Sequence, residues 1–303
     1  MSQSPAKKAA IYFRANAPWR KAMGDRMVKR RVQGVDLYLP WSHLLPDYAR
    51  VNPAYGQNLV ELAAGLGAGL DTPLNVLDVG ANIGDSAAQI VARTDARVLC
   101  VEGDPYWIDY LRRNVGSDSR ITMAEVFLAY PGSSWSGPTP VRAHGTTHFV
   151  DDASSSAGVT TLPITELRTK YPAFDSLRLV KSDTDGLDVA LVPAIVEAWQ
   201  DSSPVVFFEF DPKLTRNAGF SNPNEVWEKL ATLGYTRAAV WDNGGSVLGQ
   251  MNIADAAANA AVLERSPDDI GYYFWDVAVR RDDDTVAAQV FDRLVPKDFV
   301  ASK

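Results

Sequence analysis

One stretch limits this chain more than any other: Leu77-Asp78-Val79-Gly80-Ala81-Asn82-Ile83-Gly84, an apolar run that breaks into a glycine turn. Residues 75–79 read as a short strand, and residues 85–93 as the helix that the turn opens. A strand that feeds a helix through such a turn belongs to a βαβ unit, and these units build parallel sheets covered by helices on both faces. The rest of the chain repeats the rhythm. Residues 98–101 form a second strand, and Pro105 suits the first position of the helix after it, with Tyr106, Ile108, Leu111 and Val115 as its apolar stripe. Residues 121–128, 177–180 and 204–208 supply three more strands, the last wholly apolar, as a central strand buried on both faces must be. Helices are expected over 188–200 and 222–233, and strands over 235–241 and 272–279, the last antiparallel. The expected class is therefore α/β: a doubly wound, Rossmann-like, seven-stranded, mostly parallel sheet over residues 71–303. A helical N-terminal extension or cap is expected over residues 1–70.

Composition narrows the classes of partner. With 46% hydrophobic and 22% charged residues, the chain is neither disordered nor fibrous. Its apolar runs, such as 187–199, are broken well short of a bilayer-spanning length, so no membrane span is expected. Cys100 stands alone, which excludes an internal disulfide framework, and its apolar surroundings make it a buried thiol. The N-terminus has no continuous apolar core of a secretory signal, so the cytoplasm is the default compartment. The net charge is −7, yet residues 1–31 hold nine Lys or Arg against Asp25 alone. The remaining acidic body argues against nucleic acid as a partner. The basic arm (Lys7, Lys8, Arg14, Arg20, Lys21, Arg26 and Lys29 to Arg31) reads as solvated and partly helical. Its other uses would be an anionic glycan, a membrane surface or a partner subunit.

A dinucleotide turn needs a middle glycine so that pyrophosphate can press on the backbone, and here that place is Asn82. Asp78 at the strand end would repel pyrophosphate and attract a cation. The turn suits a ligand with an ammonium and a sulfonium better than it suits NAD. Glu102, at the end of the second strand, stands where a carboxylate accepts both ribose hydroxyls of an adenosine. The candidate cofactor contacts are Asp78, Gly80, Ala81, Asn82, Gly84, Asp85, Glu102, Gly103 and Asp104, with Asp183 from a later strand. An NAD(P)-linked oxidoreductase is the rival enzyme class, but the middle glycine and a Tyr-x-x-x-Lys pair are both missing.

With these motifs placed, the chain resembles the FkbM family of S-adenosylmethionine-dependent methyltransferases over roughly residues 74–240. The likeness lies in Leu77 to Asp85, in Val101-Glu-Gly-Asp-Pro105 and in Val159-Thr-Thr-Leu-Pro-Ile-Thr-Glu-Leu167. It continues in Leu179-Val-Lys-Ser-Asp-Thr-Asp-Gly186 and Val205-Val-Phe-Phe-Glu-Phe210. The family pattern Lys-x-Asp-x-Glu-Gly-x-Glu is met at Lys181, Asp183 and Gly186, with Asp in place of Glu at Asp185 and Asp188. The resemblance implies a class I methyltransferase fold, S-adenosylmethionine as cofactor, and O-methylation of a sugar, glycan or natural product hydroxyl.

An aliphatic hydroxyl is a weak nucleophile, so a base must take its proton as it attacks. Asp183 and Glu209 end adjacent strands on the cofactor rim, and Asp211 lies just beyond. One of them is a candidate base, or the three together would hold a divalent cation such as Mg that acidifies the hydroxyl. His144 and His148 share a Gly-, Ser- and Thr-rich insertion over 130–158, a length typical of a binding loop, and either is also a candidate base. His43 reads as structural or substrate-side. Trp41 and Trp135 are candidates to stack on a sugar face. A homodimer through residues 1–70 is compatible with this pattern. So is a non-catalytic protein that has kept the fold.

Overall fold

In a computed structural model of the chain, residues 18–19, 22–133 and 160–300 are described, with the backbone alone of 139–143 and 146–150. The first elements form a hairpin of β1 (Met27–Val32) and β2 (Val35–Pro40), paired antiparallel. Gln33 and Gly34 both take positive φ (46° and 93°), as a two-residue hairpin loop twisted to match its strands requires. Two helices follow, α1 (Leu45–Val51) and α2 (Gln57–Gly67). Then come β3 (Asn75–Val79), α3 (Asp85–Arg93), β4 (Arg97–Val101), α4 (Pro105–Val115) and β5 (Ile121–Ala124). A short β6 (Phe127–Ala129) leaves the main sheet, and β7 (Thr139–Ala143) pairs with β8 (Thr146–Val150). Next are β9 (Thr161–Pro163), α5 (Ile164–Lys170), β10 (Leu179–Ser182), α6 (Asp188–Ala198), β11 (Val205–Phe210), α7 (Pro212–Asn217) and α8 (Glu225–Thr232). The chain continues through β12 (Tyr235–Asp242), β13 (Val247–Asn252), α9 (Ala256–Ala260), α10 (Pro267–Ile270), β14 (Trp275–Arg281) and α11 (Thr285–Leu294).

The main sheet has eight strands in the order β13-β12-β14-β11-β10-β3-β4-β5. From β5 through β11 every pairing is parallel, whereas β14 runs antiparallel between β11 and β12. This is the doubly wound, mostly parallel arrangement expected. Side-chain alternation gives the sheet its two covers. Leu77, Val79, Leu99, Val180 and Phe208 face α6 and α8, while Val76, Val98, Cys100, Leu179 and Phe207 face α2, α3 and α11. Cys100 is fully buried, as its surroundings implied.

Three expectations are corrected. The extension over 1–70 is not wholly helical, because residues 27–40 form the hairpin. Val32, Leu37, Leu39 and Pro40 are its buried positions, and Leu37 and Leu39 stand at the period of two that marks a strand. The sheet has eight strands rather than seven, because Val247–Asn252, where no strand was expected, folds back on β12 as an edge strand. The third strand stops at Ala124: Phe127 N–H turns to Thr160 O (2.9 Å), so residues 127–129 pair parallel with β9 instead. Among the described residues no helix is long and apolar enough to cross a membrane.

Candidate active site

From β3 the chain crosses to β4 and β5 on one side, and it returns to β10 on the other. The carboxyl ends of β3 and β10 therefore bound the crevice where open α/β sheets hold their ligands. A cleft of about 590 Å³ opens there. Its first wall is the glycine turn. Gly80 and Ala81 N–H both donate to Val101 O (3.0 Å each), which binds the turn to the end of β4. Gly80 takes φ 72°, and a Cβ there would collide with the carbonyl oxygen of Asp183, so the turn lies flat on the loop after β10. Asn82 also takes positive φ (50°), which its side chain stabilises by accepting from Ile83 N–H (2.8 Å).

Glu102 lines the cleft and is only 8% exposed. Its Oε2 accepts from Asn82 N–H (2.9 Å) and its Oε1 from Asp104 N–H (2.8 Å). Each oxygen keeps further acceptor capacity for a ligand. Burial pushes this carboxyl up to about 7, against the pull of the Asp104, Asn82 and Gly103 amides toward the ionised form. A Cβ on Gly103 would enter the Phe127 ring, so glycine lets that ring close the cleft wall.

Asp78 serves a different end. It is fully buried on the opposite face of β3 from Leu77 and Val79, and it does not line the cleft. Parallel register sets it beside Lys181, whose Nζ lies 3.1 Å from Asp78 Oδ1 and donates to Gly80 O (2.9 Å). Ser86 Oγ donates to the other Asp78 oxygen (3.0 Å). Burial opposes the Lys181 charge, but Asp78, Asp183 and Asp85 outweigh it and hold the ammonium above its ordinary value. The expected cation partner of Asp78 is thus supplied from within the chain.

Carboxylates gather beyond β10 and β11. Asp183 lines the cleft, is half-exposed and lies 3.7 Å from Lys181 Nζ. Asp185 also lines it, at φ 52°. Asp188 turns inward, accepting from Ser182 Oγ (2.6 Å) and Thr184 N–H (3.3 Å), and so ties down the loop; burial pushes it up to about 6. Burial, then the charges of Asp183, Asp185, Asp188 and Asp276, holds Glu209 well above the usual carboxylate range. Asp276 faces Glu209 across the antiparallel β11–β14 pair, accepts from Asn58 Nδ2 (2.8 Å), and is pushed up to about 7 by burial. Asp276 went unforeseen because its partner Glu209 lies some 70 residues away in sequence.

The metal set proposed from sequence does not assemble. Asp211 Oδ1 accepts from Lys213 N–H (2.7 Å) and Leu214 N–H (2.9 Å), which commits it to capping α7. No group of three or more potential ligands among the described residues is placed to hold a metal ion.

Of the expected cofactor contacts, Gly80, Asn82, Glu102, Gly103 and Asp183 line the cleft. Asp78, Ala81, Gly84, Asp85 and Asp104 do not. Ala81 is core, Gly84 starts α3, and Asp104 is buried as the cap of α4, accepting from Tyr106 N–H (2.9 Å). Asp85, in the first turn of α3, is pushed up to about 6 by burial. Trp107, Val126, Phe127 and Leu187 complete the walls and were not foreseen. Phe127 owes its place to the break after Ala124, and Trp107 is a buried residue of α4 outside the stripe expected for that helix. His43 packs edge-on against Trp107 (5.6 Å), which makes it structural. Arg30 lies over the Trp41 ring at 4.1 Å, occupying one of its faces. His144 and Trp135 lie outside the described residues, as does the side chain of His148.

No protein-family profile matches the chain, and neither does any curated protein. Solved structures with a similar chain path include the O-methyltransferase from Bacillus cereus in complex with SAH. It is 11% identical, covers 93% of this chain and 92% of its own, and has a TM-score of 0.43. The precorrin-6y C5,15-methyltransferase of Geobacter metallireducens is 13% identical over 74% of this chain and 86% of its own, with a TM-score of 0.38. Spermidine synthase from Thermotoga maritima is 10% identical over 88% and 70%, with a TM-score of 0.44.

Proposed function

We propose that the chain is an S-adenosylmethionine-dependent methyltransferase that carries a methyl group to a hydroxyl of a sugar, glycan or natural product, in the manner of the FkbM family it resembles. One observation carries the reading. A buried carboxylate, Glu102, is held by two backbone amides at the switch point of the sheet and keeps acceptor capacity toward the cleft. That donor set fits the two hydroxyls of a ribose. Phe127, Val126 and Leu187 supply apolar walls for a flat base. The carboxylates past β10 suit a positively charged sulfur and amine.

When bound, the cofactor supplies an electrophilic methyl group. Glu102 orients its ribose, and the rim carboxylates balance its charge. The acceptor oxygen must lie in line behind the methyl carbon, a matter of placement by the cleft walls. Its proton passes to one of Asp183, Glu209, His144 or His148. Burial and its acidic neighbours raise the Glu209 carboxyl well above the usual carboxylate range, which favours its neutral, hydrogen-bond-donating form over that of a base. This leaves Asp183 or a histidine of the insertion.

Thermal unfolding with S-adenosylhomocysteine, S-adenosylmethionine and NADH in parallel tests the cofactor. A ligand at 100 times its Kd stabilises the fold by about 2.7 kcal/mol. Stabilisation by the two adenosyl compounds, lost in Glu102→Ala, supports the reading, and stabilisation by NADH alone overturns it. Cofactor binding with no turnover across hydroxyl acceptors would favour a non-catalytic role.

A further inference from the structure

The β1–β2 hairpin is fastened to the glycine turn by one side chain. Asn114, in the last turn of α4, accepts from Tyr38 N–H through Oδ1 (2.7 Å) and donates through Nδ2 to Tyr38 O and Ile83 O (2.8 Å each). Three of its four hydrogen-bonding directions, both donors among them, are thus spent on joining hairpin, helix and turn. Ile83 is fully buried in a small core with Val32, Leu37 and Leu39 of the hairpin and with Trp107 and Tyr110 of α4. The turn therefore packs on the hairpin as well as on the sheet.

A second tie runs through the segment after β2. His43 Nδ1 accepts from Leu45 N–H (3.1 Å), which leaves the ring proton on Nε2; the ring is buried beside the Asn82 side chain, and Nε2 has no hydrogen-bond partner among the described residues. Its ring supports Trp107, which lines the cleft. Asn82 in turn gives its own N–H to Glu102. Burial lowers His43 to about 4, so the ring is neutral at physiological pH and this arrangement persists.

The N-terminal unit thus bears on two consecutive residues of the turn, on Ile83 through Asn114 of α4 and the shared core, and on Asn82 through the His43 ring beside it. Resting on the adenosyl-binding reading above, we propose that Asn114 and His43 are positioning residues. They hold the turn, and through Asn82 the Glu102 carboxylate, in its binding arrangement, so that docking of the hairpin and binding of the cofactor are one coupled equilibrium. Coupling of this kind is reciprocal: whatever the docked hairpin adds to ligand affinity, the ligand adds to hairpin docking.

The test uses the full chain. S-adenosylhomocysteine is titrated by calorimetry into wild type, Asn114→Ala, His43→Ala and His43→Gln. Leu230→Val, in α8 and outside this contact, is the control for lost stability. Asn114→Ala and His43→Ala are expected to bind about tenfold more weakly or worse, the equivalent of one to two hydrogen bonds. His43→Gln, which keeps an amide donor, should recover part of the loss, and Leu230→Val should bind as wild type. Hydrogen exchange over residues 27–45 should slow on ligand saturation in wild type and much less in Asn114→Ala. Wild-type affinity in both folded alanine variants, or hairpin exchange indifferent to ligand, overturns the proposal while leaving the cofactor reading intact. If wild type itself does not bind the ligand, the cofactor reading fails. The positioning claim is then judged in the free protein, where the Asn82 and Ile83 amides must exchange faster in both alanine variants and would refute it if unchanged.

Discussion

Glu102→Gln keeps the length of the side chain but removes its charge and one of its two acceptor oxygens. In wild type both oxygens are already engaged by amides, at 2.9 Å from Asn82 and 2.8 Å from Asp104. A glutamine can serve one of these and must turn an NH₂ toward the other, before any ligand arrives. Hydrogen bonds to a charged group contribute about 1.5–3 kcal/mol each, and two ribose hydroxyls are at stake. Allowing half of that for the remaining carbonyl, the loss is about 1.5–3 kcal/mol, or roughly 10- to 150-fold in Kd. The pH dependence has a definite sign. Glu102 sits at about 7, and the ribose needs the ionised form. Wild-type affinity for S-adenosylhomocysteine should therefore rise with pH, by about tenfold from pH 6 to pH 8, and then level off. Folding shows the opposite trend: the raised value means the native state holds this proton more tightly than the unfolded chain. Stability from this residue is lost as pH climbs from the ordinary carboxylate range through 7, and it is constant above. Calorimetric titration at several pH values measures both effects. A Glu102→Gln Kd within threefold of wild type at pH 8, or a wild-type Kd that is flat from pH 6 to 8, would refute the reasoning.

Lys181→Met strands the buried Asp78 carboxylate and should cost about 3–5 kcal/mol in urea unfolding. The double variant Lys181→Met/Asp78→Asn should recover much of this, and a double as unstable as the single would contradict the pairing. Gly103→Ala forces Phe127 out of the cleft wall, so circular dichroism should show a retained fold while affinity for S-adenosylhomocysteine drops at least tenfold. With an accepted hydroxyl substrate in hand, methyl transfer should be insensitive to EDTA and to added magnesium; sensitivity would restore a metal role. Under the same assay, full turnover in both His144→Ala and His148→Ala would assign the base to Asp183 instead.

Much of the cofactor half was legible because its signals are local. Gly80, Asn82, Glu102 and Gly103 follow from a strand, a turn and the next strand end, and all four line the cleft. Local signals failed where a residue's role depends on a distant partner. Asp211 looked like a ligand beside Glu209, yet it caps the helix that begins next to it. Asp78 looked like a cofactor contact, yet parallel register with β10 hands its charge to Lys181. The charged Lys29-Arg30-Arg31 run concealed a strand whose inward positions are only partly buried, so the hairpin read as helix.

The sequence alone determined the α/β class, the succession of the parallel strands along the chain and the place of the glycine turn. Each of these rests on periodicity and turn chemistry within some ten residues. Only the tertiary structure decided which carboxylates meet. Asp276 reaches Glu209 and Asn58, and Asn114 reaches both Tyr38 and Ile83, through strand register and helix packing between segments far apart in the chain. Register is set by how whole faces bury their apolar residues, a property of the assembled sheet that no single stretch of sequence carries.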